Sequence, residues 1–221
     1  MPIEVITAGV VLTETEDRHE YTLDGKRVSG LTSIIQRAGI SNYDNVPEAV
    51  MKAKAALGSK IHEYTHWWDE DDLDLDSLAP YPQYHRRVIG WTQFRSDWGF
   101  KPQLREKPMV VKINAQMFGM KPDCFGVGNF GIGGAPVDST VEIKNTIEIE
   151  PSAQIQTAGQ ALALKSEDNP LPGRIVCQLL DQPNQAGKFY NIVKFEESMD
   201  ERIFLCALAL DTWKINMKII K

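Results

Sequence analysis

Residues 120–145, MKPDCFGVGNFGIGGAPVDSTVEIKN, decide how this chain is read. The stretch holds Pro122-Asp123, a glycine-rich interval, and then Val141-Glu142-Ile143-Lys144. Val137, Thr140, Val141, Ile143, Thr146 and Ile147 give the second part a β-branched setting, so it predicts a strand entered through a Gly/Pro turn. Strand alternation then puts Glu142 and Lys144 on one face and Ile143 on the other. A carboxylate and an ammonium two residues apart, with Asp123 delivered by the preceding strand, make a compact site for a hard cation. Oxygen ligands suit Mg²⁺ or Mn²⁺, and a lysine suits a water that must be held in line or lose a proton. Phosphodiester hydrolysis is the chemistry this constellation predicts.

Outward from that stretch the chain alternates strand and helix signals. Residues 3–28 read as a hairpin, with runs at Ile3 to Thr13 and Glu20 to Leu23 and an Asp24-Gly25 turn. A short helix follows from Gly30 to about Gly39. Pro47 opens a long helix over 47–67, with Val50, Ala53, Leu57, Ile61 and Tyr64 at helical spacing. The acidic run from Asp69 to Asp76 reads as a solvated loop. A helix over 82–98 carries Tyr84, Val88, Trp91, Phe94 and Trp98 as its stripe. Residues 109–113, 116–124 and 137–147 read as strands, 152–164 as a helix, 174–180 and 189–195 as a strand pair, and 196–217 as a closing helix. One α/β domain over 1–221, with the hairpin and helix of 1–45 as a decoration, is the economical organisation.

At 221 residues, with 43% hydrophobic and 24% charged residues, the composition is that of a globular domain with a sizeable core. The opening MPIEVITAGVVL lacks a basic n-region, so no signal peptide is expected, and no apolar run reaches membrane-spanning length. Three scattered cysteines (Cys124, Cys177, Cys206) argue for a reducing cytoplasm and against a zinc or iron–sulfur cluster. A net charge of -6 speaks mildly against a nonspecific nucleic-acid binder, though local carboxylates are what a metal-dependent nuclease needs.

Other motifs have bland and functional readings side by side. Gly58 and His62 share a helix face; a glycine there suggests close approach by a backbone or ligand, and a lone helical histidine is usually structural. His62-Glu63-Tyr64-Thr65-His66 fits H-E-x-x-H, which makes a zinc metallopeptidase the rival from another class. No further G-x-x-H follows, and that reading leaves Asp123 and Glu142-Ile143-Lys144 unused. Gly126 to Gly131 spells G-x-G-x-x-G, but Gly133-Gly134-Ala135-Pro136 cannot open the helix a dinucleotide site requires, so it reads as a flexible hairpin connection. Glu106 is either an edge charge or a site residue, and spacing does not choose. Gln156 and Gln160 share a helix face and could bond phosphate or a metal-bound water. Trp67, Trp68 and Trp91 read as interhelix packing, with base stacking as the alternative.

In this order the residues resemble the PD-(D/E)XK nuclease superfamily, and within it the RecB-like branch of phage and prophage exonucleases and Cas4 nucleases. Pro122-Asp123 matches the PD, Glu142-Ile143-Lys144 the EXK, and Gly58…His62 the helix whose histidine joins the metal shell. Glu106 falls where the branch often has a glutamate and Gln156 where a Q-x-x-x-Y motif begins; Gln160 stands in place of its tyrosine. The lead-in from Tyr21 to Ile34 is similar to that of phage-encoded members. The resemblance implies a restriction-endonuclease-like core, a mixed central sheet flanked by helices, with a helical N-terminal elaboration. It implies Mg²⁺ or Mn²⁺ held by His62, Asp123, Glu142 and the Ile143 backbone carbonyl, with Asp123, Glu142 and Lys144 catalytic. Gly58, Glu106, Gln156 and Gln160 would support the site or substrate, and no iron–sulfur cluster is expected. DNA would be the substrate, in the cytoplasm of a bacterial or phage-infected host cell, cut by an exonuclease of recombination or repair. A structure-specific or nonspecific endonuclease and an inactive DNA-binding module are the alternatives. A homo-oligomer and a recombination or single-strand-annealing partner fit the same resemblance.

Overall fold

The computed structural model describes residues 2–14, 19–41, 46–166, 169–170 and 172–220. Among them lie eleven strands and five α-helices, arranged in three sheets. The central sheet has five strands in the order β11 (Tyr190–Phe195), β10 (Gly173–Leu179), β9 (Val137–Lys144), β8 (Cys124–Gly128) and β5 (Lys101–Arg105). Only β9 and β10 run parallel, so the sheet is mixed. Their crossover is α4 (Pro151–Ala163), which packs on one face of both strands.

Alternation along β9 distributes its side chains as the pattern requires. Val141 and Ile143 join a core with Ile61, Trp91, Phe94, Phe100 and Ile175, beneath α2 (Glu48–Asp69) and α3 (Pro82–Asp97). Thr140 and Glu142 turn the other way, toward Gln160 of α4. A second core joins α1 (Leu31–Arg37), α4 and α5 (Met199–Asn216) to β6 (Met109–Ile113) and β7 (Gln116–Met120) through Ile34, Phe118, Ile155 and Phe204. Residues 1–45, expected as a decoration, therefore contribute Leu31, Ile34 and Ile35 to a core.

Several expectations from the sequence need correction. The apolar run from Ile3 to Thr13 is not one hairpin arm. It breaks at Gly9, whose φ of 71° admits a tight turn, into β1 (Ile3–Ile6), which pairs with β6, and β2 (Val10–Glu14), which pairs with β3 (His19–Leu23). Asp24-Gly25 does turn the chain, but from β3 into β4 (Lys26–Val28). Residues 116–124 are likewise two strands in two sheets, since Pro122 offers no N–H to a ladder. The first half of the G-x-G-x-x-G run is strand: Gly126 lies in β8 under the Lys101 carbonyl, where a Cβ would collide. β5 was masked in the sequence by Pro102, which an edge strand tolerates. Val50 is exposed, and of the apolar stripe expected along α2 only Ile61 is buried.

The acidic run is not wholly solvated either. The Asp69 side chain is buried, ion-paired with both Arg95 and Arg105, and accepts the Trp91 indole N–H at 3.1 Å. Arg174 and Asp200 form a second buried pair at 2.7 Å, tying β10 to α5, with Gln154 of α4 donating to the same carboxylate.

Two mid-helix glycines separate packing from propensity. A Cβ on Gly90 would overlap the Phe189 carbonyl, whereas one on Gly58 would meet nothing closer than the Asn145 side chain at 3.9 Å. Glycine costs a helix about 1 kcal/mol relative to alanine, while overpacking costs about 1–3 kcal/mol. Gly90→Ala is therefore expected to lower the urea midpoint, and Gly58→Ala to raise it by the equivalent of up to about 1 kcal/mol; equilibrium unfolding of the two variants against the parent checks both signs.

Candidate functional site

Three elements converge where the loop before β8 meets the end of β9. Asp123 leads β8, and its Oδ2 accepts the Ile143 N–H at 2.7 Å, fixing the carboxylate against the β9 backbone. From the middle of α2, His62 Nδ1 lies 3.3 Å from Asp123 Oδ1 and 3.2 Å from Glu106 Oε1. Glu106 follows β5 directly. Its backbone sits in the left-handed region at φ 45°, unusual for a residue with a Cβ, while its N–H bonds the Pro122 carbonyl at 3.0 Å. Its other carboxylate oxygen pairs with Lys121 Nζ at 2.6 Å.

His62, Glu106 and Asp123 each offer one ligand atom, and the three atoms lie within 4.8 Å of one another. Opposite ligands of an ion bound at 2.1 Å are about 4.2 Å apart, so small inward movements would close the set on a Mg²⁺-sized ion. One imidazole nitrogen and two carboxylates is a donor set that divalent metals accept.

Glu142 neighbours this cluster but is occupied differently. Nearly fully buried, it accepts from Lys144 Nζ at 2.8 Å and Gln156 Nε2 at 2.6 Å on one oxygen, and from Gln160 Nε2 at 2.8 Å on the other. Gln160 in turn accepts from the Thr140 hydroxyl at 2.7 Å, and Gln156 Oε1 accepts from Lys144 at 3.2 Å. The sequence reading placed Glu142 among the metal ligands and Glu106 among supporting residues. The structure gathers Glu106 with His62 and Asp123, and it engages Glu142 with α4 and Lys144 instead. Of Ile143, the backbone N–H bonds the Asp123 carboxylate. Gly58 lies off the cluster beside Asn145, and no backbone approaches it.

The H-E-x-x-H reading fares differently. His62 turns to Glu106 and Asp123, Glu63 pairs with Lys60 at 2.6 Å, and His66 pairs with Glu70 at 3.5 Å. The one potential metal-holding group found among the described residues does not include His66.

Electrostatics follow from the crowding of carboxylates. Burial opposes charge on His62, but Asp123 and Glu106 outweigh it and raise the imidazole to about 10. Burial likewise opposes ionisation of Glu106, yet His62 and Lys121 hold its carboxyl well below the usual range. Glu142 is pushed up, first by burial and then by the charge of Asp123, against the pull of Lys144. No protein-family model matches the chain, and no curated protein matches it.

A histidine raised above its unfolded value of about 6.5 stabilises the fold fully below that pH and gives up the contribution as pH rises through its folded value. In chelator-treated protein, unfolding free energy is therefore expected to fall between about pH 6.5 and about 10, and His62→Gln to flatten that part of the curve. Urea titrations across this range check the slope, and the imidazole ¹³C shifts report whether His62 itself carries the proton at pH 8.

Proposed function

We propose that this chain is a Mg²⁺- or Mn²⁺-dependent deoxyribonuclease of the PD-(D/E)XK type, with a restriction-endonuclease-like core, most similar to the RecB-like exonucleases of phage recombination and repair. The observation that carries the reading is the convergence of His62, Glu106 and Asp123 on one point beside the Glu142–Lys144 pair. His62 Nδ1 and one oxygen each of Glu106 and Asp123 would hold the ion. When bound, it supplies the Lewis acidity that lowers the pKa of a water and offsets charge building on a phosphate.

The chain's own groups do the rest. Lys144 donates to Glu142 and Gln156 at 2.8 and 3.2 Å, which fixes an ammonium beside the Glu142 carboxylate. From there its Nζ can donate to an attacking water or to an oxygen of the scissile phosphate. Gln156 and Gln160 hold Glu142 in one orientation, and Glu142 holds Lys144. The alternation that made β9 a strand thus becomes a chain of positioning contacts. The substrate in this reading is DNA.

Glu142 accepts three hydrogen bonds, so its replacement by alanine would leave buried donors unmet. Glutamine and asparagine are the sounder probes. Asp123→Asn is expected to reduce cleavage of linear duplex DNA in Mg²⁺ by more than the roughly 10–100-fold that loss of a ligand-orienting partner costs, and Gln156→Ala by about that 10–100-fold. Comparing linear with covalently closed circular DNA separates exonuclease from endonuclease. Metal-dependent cleavage that survives Asp123→Asn undiminished would remove the assignment.

A further inference from the structure

The closing helix α5 is apolar on two faces, and the fold of one chain covers only the first. Phe204, Ala207 and Leu208 turn inward onto α1, α4 and β7, with Asp200 and Asp211 buried beside them. A second face carries Met199, Ile203, Cys206, Leu210, Trp213 and, at the C-cap, Met217, in steps of four, three, four, three and four residues. That is the 3.5-residue repeat of a coiled-coil seam. All six side chains are exposed, and for the five other than Cys206 the exposure is between 39 and 59%. Single apolar residues on a surface are ordinary, whereas apolar residues gathered into one continuous line mark a place of association. A helix that is apolar on both faces is stable when both are covered.

The seam is complementary to itself. In two copies of α5 laid antiparallel about a twofold axis, each contact occurs twice. With Cys206 beside the partner's Leu210, Ile203 falls beside the partner's Trp213 and Met199 beside the partner's Met217, so every layer is apolar and no seam residue is left over. Charge selects the same direction. Glu196 and Glu197 stand exposed before the helix and Lys218 stands exposed after it. Antiparallel pairing sets the acids of one copy beside the lysine of the other and opposes the two helix dipoles, while parallel pairing sets like against like. Ala207 and Ala209 flank the middle of the seam, and their small side chains let the two axes approach. Arg202 and Lys214 are the only cations within the helix, too few for the basic border that holds an amphipathic helix on an anionic membrane.

We propose that the chain forms a twofold-symmetric homodimer in which α5 packs antiparallel on α5 of a second copy along this seam. The contact is one helix per subunit and about 27 Å long, smaller than an obligate interface, so the dimer forms and dissociates with concentration. Each subunit keeps its two cores without it, because none of the seam residues belongs to their buried sets. Cys206 lies within the seam while Cys124 and Cys177 are buried, so the reactivity of one thiol reports whether the seam is covered. The nuclease reading plays no part in this inference.

Sedimentation velocity of the full chain over a concentration series is expected to shift from monomer to dimer, and reaction of Cys206 with a thiol reagent to slow at least tenfold over the same range, a readout that needs no variant. Leu210→Asp and Trp213→Gln, in different layers of the seam, are each expected to weaken the dimer at least tenfold, while circular dichroism and the urea midpoint of the dilute protein stay in place. Lys218→Glu should weaken it about fivefold, and Glu196→Lys added to the same chain should restore it, because the bridges then re-form with their signs exchanged. A monomer with fully reactive Cys206 at every concentration overturns the proposal, as does a dimer undiminished in both seam variants. A dimer that those variants abolish but the charge exchange leaves unmoved overturns the antiparallel arrangement. Monomeric protein that floats with phosphatidylserine-containing vesicles, and ceases to in Leu210→Asp, assigns the seam to a membrane and overturns self-association.

Discussion

The bond from the Ile143 N–H to Asp123 Oδ2 is the constraint from which the site is built. It sits where β8 begins to pair with β9, with Cys124 opposite Val141, so the carboxylate is fixed by the sheet itself. With Asp123 immobile and buried, every neighbouring acid must be compensated locally, because like charges in a poorly solvated place raise one another. Glu142 is compensated by Lys144 and two glutamines, and Glu106 by Lys121 and His62. The three carboxylates are thus balanced by His62, Lys144 and Lys121 when His62 carries its proton. A divalent cation would take over the role of that proton, which is why metal binding at such a site is expected to strengthen as pH rises.

The legible part of the molecule is what short-range periodicity and punctuation carry. β9 declared itself through β-branched residues after a Gly/Pro turn, and its alternation put Glu142 and Lys144 on the α4 side. The long helix α3 and the β10–β11 pair also follow their local patterns, while α2 forms over much of its expected span but buries only Ile61 of its expected stripe. Spacing put Asp123, Glu142 and Lys144 at one prospective site, whereas His62 joined them only through the resemblance to the PD-(D/E)XK superfamily.

Glu106 was undecidable for a physical reason. Its direction depends on a left-handed backbone at the end of an edge strand and on a bond to the Pro122 carbonyl, sixteen residues away in sequence, and neither leaves a local signature. Asp69 is the same lesson with charge: among six acids in eight residues, the buried one is marked by Arg95 and Arg105 arriving from other elements. The division of residues 3–13 between two sheets has a visible cause, Gly9, but the partner of each half does not.

Asp69 also explains how α2, whose first half packs little, can position a histidine accurately. The C-terminal end of α2 is held by Asp69 to α3 through Arg95 and Trp91, and to β5 through Arg105. Arg105 additionally takes the Thr65 carbonyl, one turn from His62. Removing either guanidinium would leave a buried carboxylate less compensated and free the helix to rotate or slide, and both errors move His62 relative to Glu106. The residue that follows Arg105 is Glu106 itself, so the same short segment of β5 anchors the helix and delivers the acid that the helix's histidine must meet. Helix placement and ligand placement are therefore one constraint, and a cluster within 4.8 Å can be maintained without a rigid first half of α2.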